Sequence, residues 1–364
     1  MGGCLVVKHV FDDKIDYISI IDDNGNADAA LFPKDVDDTL VLRMYKRMGF
    51  ARDFDAKLLS LQRQGRAVTY APLLGEEATQ IGSAFAMGEK DIFVPSFRQH
   101  AVQIERGIPL ELLFVYWMGF EEGCVVSKPL RYLTNAVPVS TQLPHASGIA
   151  FAQKYNNTGA AVVVYVGDGG TSEGDFYEAL NFAGVWKVPL VVIIENNQWA
   201  ISIPRAKQSA ALTLAQKAFA AGIEGMQVDG NDVVAVYAAV KDAIRRSLSE
   251  GGPFVIEAIT YRMGMHTTAD DPAKYRDSSD EAVWKARDPL LRIRKYLSAK
   301  NLWDDDKERA LHEENVKVLD AALAKAEKFV PDPSSVFKNV YSFMPDVLSS
   351  ELAAGEAAGY WVGD

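Results

Sequence analysis

An acid and an amide stand at the ends of two successive apolar runs in this 364-residue chain. Residues 161–166 (AVVVYV) form a continuous apolar stretch, which predicts a buried strand. Gly167-Asp168-Gly169-Gly170 follows directly. A helical stretch, FYEALNFAGVW, then leads to a second apolar run, LVVII at 190–194, that ends in Glu195-Asn196-Asn197. The order is strand, loop, helix, strand, loop. It puts Asp168 and Asn197 at the carboxyl ends of parallel strands, where open α/β sheets bind ligands. Asp and Asn oxygens suit Mg²⁺, which takes few protein ligands and fills its shell with water and substrate phosphate. Glycines let backbone N–H groups approach a phosphate, and the following helix offers its N-terminus to the same anion. The chemistry these residues point to is a Mg²⁺–diphosphate clamp. Gly-Asp-Gly alone is as readily a tight turn; the Asn-Asn pair closing the next strand weighs against that.

With its spacer, GDG followed by NN is the thiamine-diphosphate signature. The stretch GDGGTSEGDFYEALNFAGVWKVPLVVIIENNQWAIS resembles the alpha chain of the decarboxylase component of 2-oxo acid dehydrogenase complexes. The resemblance runs from about residue 36 to about residue 297. It includes Ser96-Phe97-Arg98, Ser140-Thr141-Gln142-Leu143-Pro144, Val228-Asp229-Gly230-Asn231-Asp232 and Tyr261-Arg262-Met263-Gly264-Met265-His266-Thr267. It implies thiamine diphosphate and Mg²⁺ as cofactors, with Asp168, Asn197 and the backbone carbonyl of Trp199 as the protein ligands of the metal. Gly169 and Gly170 flank the diphosphate, Arg98 contacts phosphate, and Phe97 lies beside the cofactor. Val137 and Val139 belong to the loop beneath the aminopyrimidine, Val139 as the wedge that bends the cofactor. Pro138, Thr141 and Gln142 match a potassium site of branched-chain relatives, although Ala136 replaces one of its hydroxyl ligands. His266 matches the loop histidine near the reacting carbon, and its ordinary titration near neutrality suits proton transfer. Arg262, Asp270, Tyr275 and Arg276 match positions that order that loop. Glu195 stands where branched-chain relatives often carry Arg.

The reaction so implied is decarboxylation of a 2-oxo acid, with the acyl group passed to the lipoyl arm of an acyltransferase partner. The glutamate that activates the cofactor comes from a separate beta chain in this family. An α₂β₂ heterotetramer is therefore expected, with this chain inactive alone. Ser-Thr-Gln-Leu-Pro-His and Tyr-Arg-Met-Gly-Met-His look nearer the branched-chain type; pyruvate and acetoin stay open as substrates. A Mg²⁺-dependent phosphotransferase or NTPase would use a similar clamp, but no G-x-x-x-x-G-K-[ST] occurs. A non-catalytic scaffold is the remaining alternative.

The elements that must position these residues read as a parallel-sheet α/β domain with helices on both faces, which the resemblance implies is a thiamine-diphosphate-binding fold. It occupies residues 36–300, between an N-terminal arm (1–35) and a helical C-terminal extension and tail (301–364). Helical spacing begins at Asp37, with Asp38 or Thr39 as cap. Leu42, Tyr45 and Met48 carry the pattern on, and Gly49 lies inside it. Residues 75–87 form a second helix and 92–94 a short strand. Residues 122–144, with Gly123, Pro129, Asn135, Pro138 and Pro144, read as a long loop of the kind that is either functional or disordered. Residues 144–155 and 232–250 are helices, 254–261 a strand, and 264–281 a polar, mobile loop. Helices at 288–300 and 304–328 precede a Pro-interrupted tail with Phe343, Tyr360 and Trp361.

The net charge of −11 argues against a nucleic-acid footprint, which needs a basic patch. Two cysteines, Cys4 and Cys124, give neither a disulfide framework nor a metal motif. The N-terminal residues match no signal or transit peptide, and no apolar run is long enough for a membrane span. A cytoplasmic location is expected. His100 and His145 are secondary candidates for chemistry; His9 and His312 lie in segments with no other chemical signal.

Overall fold

The computed structural model describes residues 14–126, 130–332, 334–338 and 340–359. Residues 1–13 of the predicted arm, including Cys4 and His9, lie outside the described residues, as do Pro129, Tyr360 and Trp361. In chain order the strands are β1 (Tyr17–Ile18), β2 (Ile92–Val94), β3 (Val162–Gly167), β4 (Leu190–Asn196), β5 (Trp199–Ala200), β6 (Ile203–Pro204), β7 (Glu224–Asp229) and β8 (Phe254–Ile259). The helices are α1 (Asp38–Arg63), α2 (Glu77–Ala86), α3 (His100–Glu105), α4 (Leu110–Trp117), α5 (Gln142–Tyr155), α6 (Gly174–Trp186) and α7 (Arg205–Gln208). They continue with α8 (Val233–Arg246), α9 (Ser278–Ala286), α10 (Pro289–Ala299), α11 (Asp305–Ala326), α12 (Ser335–Lys338) and α13 (Asp346–Ala357).

Six strands form one sheet in the order β1-β7-β8-β4-β3-β2, and every pairing in it is parallel. Alternation along each strand divides the core in two, because successive side chains point to opposite faces. Val163, Tyr165, Val191, Ile193 and Ile256 face α1, α2, α8 and α10. Val162, Val164, Val166, Val192, Ile194 and Val255 face α5 and α6, through Ala146, Ala150, Phe176 and Leu180. All seven residues of β4 are buried. Burial on both faces explains why β3 and β4 read as unbroken apolar runs, and each Val, Leu or Ile so buried contributes roughly 1.5–3 kcal/mol.

Several boundaries differ from the sequence reading. The cap of α1 is Asp37, whose carboxylate accepts from Leu40 N–H at 2.8 Å; its extended backbone leaves it just outside the helix. That helix runs unbroken through Gly49. Asp232, Asp288 and Asp304 cap α8, α10 and α11 in the same way. Helix α9 begins inside the stretch expected to be loop, and α3, α4, α7, α12 and α13 escaped the sequence reading. From the predicted arm, β1 joins the sheet edge beside β7, and Ile20 and Ile21 are buried. Helices α2 and α8 pack closely: a Cβ on Gly82 would lie 2.7 Å from Val233 O. No helix among the described residues is long and apolar enough to cross a membrane.

Candidate active site

Strands β3 and β4 lie side by side with Gly167 opposite Glu195, so their carboxyl ends bring Asp168 and Asn197 to one place. A cavity of about 230 Å³ opens there. Among its lining residues are Phe97, Arg98, Val139, Gln142, Asp168, Gly169, Gly170, Asn197, Trp199 and His266. Of the sequence candidates, Val137, Pro138 and Thr141 do not reach the cavity wall. Val137 is 61% exposed, and Pro138 accepts on its carbonyl from Thr141 Oγ1 at 2.9 Å.

Asp168 is 1% exposed, yet its Oδ2 has no hydrogen-bond partner. Burial pushes its pKa up to about 7, against smaller opposing effects of backbone N–H groups and Arg262. A carboxylate carried this deep with a bare oxygen fits a cation, which would hold it ionised. Asn197 closes β4 beside it. Its Nδ2 donates to Glu76 Oε1 at 2.7 Å, which turns Oδ1 the other way, where Trp199 N–H donates to it at 3.2 Å. The Trp199 carbonyl accepts from Arg262 Nη1 at 3.2 Å. Gln142 Oε1 is a further buried acceptor without a partner, its Nε2 being spent on Tyr165 O at 2.7 Å. Three oxygen donors on one cavity wall, one of them a bare carboxylate oxygen, match what Mg²⁺ takes from a protein. Among the described residues there is no cluster of three or more His, Cys, Asp or Glu to hold a metal. The amide and backbone oxygens are therefore needed to complete the set.

The two glycines are required by packing as well as by any ligand. A Cβ on Gly169 would lie 2.8 Å from Ala200 Cβ, and one on Gly170 would lie 2.5 Å from Val166 Cγ2. Backbone strain gathers at the same place. Ser140, Gln198 and Ile201 have positive φ of 69°, 72° and 57°; for β-branched Ile201 this is an outlier. Such strain collects where a site holds groups in fixed positions.

Arg98 is buried and already engaged. It donates to Pro72 O at 2.5 Å, to His266 O at 3.0 Å and to His266 Nδ1 at 3.2 Å. Its Nε lies 3.8 Å from Glu76 Oε1. Arg262, 1% exposed, approaches the same His266 nitrogen through Nη1 at 3.3 Å. Two guanidinium donors on Nδ1 make that nitrogen an acceptor, so the ring proton sits on Nε2. Burial, Arg98 and Arg262 together hold the His266 pKa down at about 4. The expectation of titration near neutrality is corrected: the ring is neutral at pH 7. Burial and the neighbouring Arg98 and Arg276 likewise lower Arg262 to about 10. The loop residues come together around this pair. Asp270 accepts from His266 N–H at 2.8 Å and from Tyr275 OH at 2.5 Å. Arg276 lies over the rings of Trp199, Tyr261 and Tyr275.

Sequence reading missed Glu76 and Gln99, and did not anticipate the place of Glu195. Gln99 donates to Glu195 Oε2 at 2.5 Å, and the carboxyl groups of Glu76 and Glu195 hydrogen-bond to each other. Burial and the charge of Glu76 raise Glu195 well above the carboxylate range. The available signal was an acidic pair, Glu76-Glu77, opening a helix with no other charge; both acids are buried. The secondary histidines stand apart from the chemistry. His100 is stacked in the core on Tyr70, and exposed His145 bonds Thr141 O at 2.7 Å.

A buried acid and amide on adjacent strand tips of a parallel sheet, opening on one cavity, define the class: an α/β protein with a polar ligand site at the carboxyl ends of its strands. Comparison with known proteins narrows this. The dehydrogenase E1 component family model matches residues 45–334. The chain is 40% identical over 340 residues to the pyruvate dehydrogenase E1 component subunit alpha of Staphylococcus aureus, covering 93% of this chain and 92% of the relative. It is equally similar, 40% over 340 residues with the same coverage, to the protein of that name in Staphylococcus epidermidis. The chain belongs to the dehydrogenase E1 component family, the thiamine-diphosphate-dependent 2-oxo acid dehydrogenases, as an alpha-type chain.

Proposed function

We propose that this chain is the alpha subunit of a pyruvate-type 2-oxo acid dehydrogenase, holding the diphosphate of thiamine diphosphate through Mg²⁺. The observation that carries the reading is Asp168: an almost fully buried carboxylate with a bare oxygen, set beside Asn197 on the neighbouring strand tip. Asp168, Asn197 and the Trp199 carbonyl would hold the metal. When bound, thiamine diphosphate supplies the carbon nucleophile and the electron sink that decarboxylation of a 2-oxo acid needs. Phe97 and Val139, both on the cavity lining, would supply its apolar contacts. His266, on the cavity lining, would offer Nε2–H as a neutral donor, held in that tautomer by Arg98 and Arg262. Gln142 Oε1 is the one oxygen of the potassium triad left bare toward the cavity, and Pro138 and Thr141 satisfy each other; potassium is therefore left out of the reading.

Val139 and Ile201, exposed by 49% and 58%, lie on the lining of the cavity. An apolar rim of this kind suits cover by another chain, and a beta chain would supply the activating glutamate there, in an α₂β₂ assembly serving a lipoyl-bearing acyltransferase. Pyruvate is favoured over the branched-chain acids because the relatives at 40% identity carry the pyruvate name; Glu195, in place of the Arg of branched-chain relatives, agrees. The branched-chain reading keeps the support of the Ser140–His145 and Tyr261–His266 motifs. The test is co-expression with the beta chain and assay against pyruvate, branched 2-oxo acids and acetoin with an artificial electron acceptor. Highest kcat/KM for pyruvate is expected, and none from the single chain. Highest kcat/KM for a branched 2-oxo acid, or full turnover by the alpha chain alone, overturns the reading.

A further inference from the structure

The loop after β3 is tied down from outside. Gln208 Nε2, at the end of α7, donates to Gly169 O at 3.1 Å. Ser140 Oγ donates to Gly170 O at 2.7 Å. Lys217 Nζ, on a 3-10 helix at Ala215–Ala221, donates to Thr171 O at 2.8 Å and to Thr171 Oγ1 at 2.9 Å. Asp168 O is held within the loop, by Thr171 Oγ1 at 2.8 Å and Thr171 N–H at 3.2 Å. Four successive carbonyls are thus fixed, three of them by side chains remote in sequence. A trans peptide points its N–H opposite to its C=O, so tethering these oxygens also sets the directions of the N–H groups of Gly169 to Ser172.

Lys217 is the costliest of the three tethers. It is 9% exposed, and its hydrogen bonds go to the oxygens of Thr171, not to a carboxylate. Burial and the nearby Arg205 lower its pKa. The Tyr177 ring, 5.6 Å from Nζ, and the more distant charge of Glu257 offset only part of the cost of burying this cation on neutral oxygens. A neutral donor would tie the Thr171 carbonyl equally well; the ammonium adds positive potential behind a loop that faces a cavity suited to an anion.

We propose that Lys217, with Gln208 as its lighter counterpart, is a positioning residue for anion binding: it locks the Gly169–Ser172 loop in its receptive conformation and lends it positive charge. This rests on the reading of the cavity as a diphosphate site. Its test is calorimetric titration of the full chain with thiamine diphosphate and Mg²⁺, beside the unfolding midpoint without cofactor. Lys217→Met is expected to weaken binding by roughly tenfold or more, the worth of a hydrogen bond to a charged group. Lys217→Arg should recover most of the affinity, and Gln208→Ala should weaken it by roughly threefold with an unchanged midpoint. A merely structural residue would shift the midpoint and leave the affinity of the folded protein alone. Wild-type affinity in folded Lys217→Met overturns the proposal; if that variant does not fold, wild-type affinity in Gln208→Ala does so. A wild-type chain that binds nothing overturns the reading of the site itself, and this proposal with it.

Discussion

Two buried acids, Glu257 on β8 and Asp168 at the end of β3, sit on the same sheet with opposite fates. Glu257 is 1% exposed and takes four donors: Asn196 Nδ2, the N–H groups of Leu214 and Ala215, and Gln227 Nε2. Asp168 is just as buried and has an oxygen with nothing on it. Burial alone therefore says little about what an acid is for. A saturated carboxylate is mortar between β4, β7, β8 and the 3-10 helix. An unsaturated one stores an unpaid desolvation cost that a ligand can recover.

The comparison can be broken at several points. Glu257→Ala should destabilise the fold by about 3–5 kcal/mol, because four buried donors lose their acceptor. It should leave the cofactor response of the remaining folded protein in place; urea unfolding with and without thiamine diphosphate and Mg²⁺ separates the two.

A sharper contrast comes from His100, 0% exposed and held by burial at a pKa of about 4. The unfolded chain takes up that proton first, at about 6.5. The contribution is complete above pH 6.5 and is lost as pH falls through 4, by up to about 3 kcal/mol. The stability difference between wild type and His100→Gln should therefore shrink between pH 7.5 and pH 4.5. A constant difference would show that His100 does not titrate as its burial demands.

Asp168→Ala should do the reverse of Glu257→Ala. Its unfolding midpoint without cofactor should stay level or rise. The stabilisation by thiamine diphosphate and Mg²⁺, about 2.7 kcal/mol in the wild type at a hundredfold excess over Kd, should vanish. A retained response in scanning fluorimetry would place the metal elsewhere. The smallest effect belongs to Asp37→Ala, which removes the α1 cap for about 1 kcal/mol. Its cofactor response should match that of the wild type.

What was legible in the sequence was local. The β3–α6–β4 unit announced itself because strands buried on both faces become continuous apolar runs, and the residues proposed to hold the metal sit at their tips. Residues that act across the fold left no such trace. Glu76, Gln99 and Lys217 meet the site from α2, the β2–α3 turn and a 3-10 helix, and their spacing to Asp168 in sequence carries no information about that meeting. Arg98 was legible as a fixed guanidinium, but its hold on Pro72 and His266 was not. The neutrality of His266 was hidden for the same reason, since it arises from burial and from two arginines, one of them remote in sequence.

The clamp itself is tested most directly by a crystal structure of the chain grown with thiamine diphosphate and Mn²⁺, the latter as an anomalous stand-in for Mg²⁺. The expected result is one metal peak bonded to Asp168, Asn197 Oδ1 and the Trp199 carbonyl, with diphosphate oxygens completing its shell. A cofactor bound with its metal away from Asp168, or a cavity left empty at saturating concentration, would contradict it.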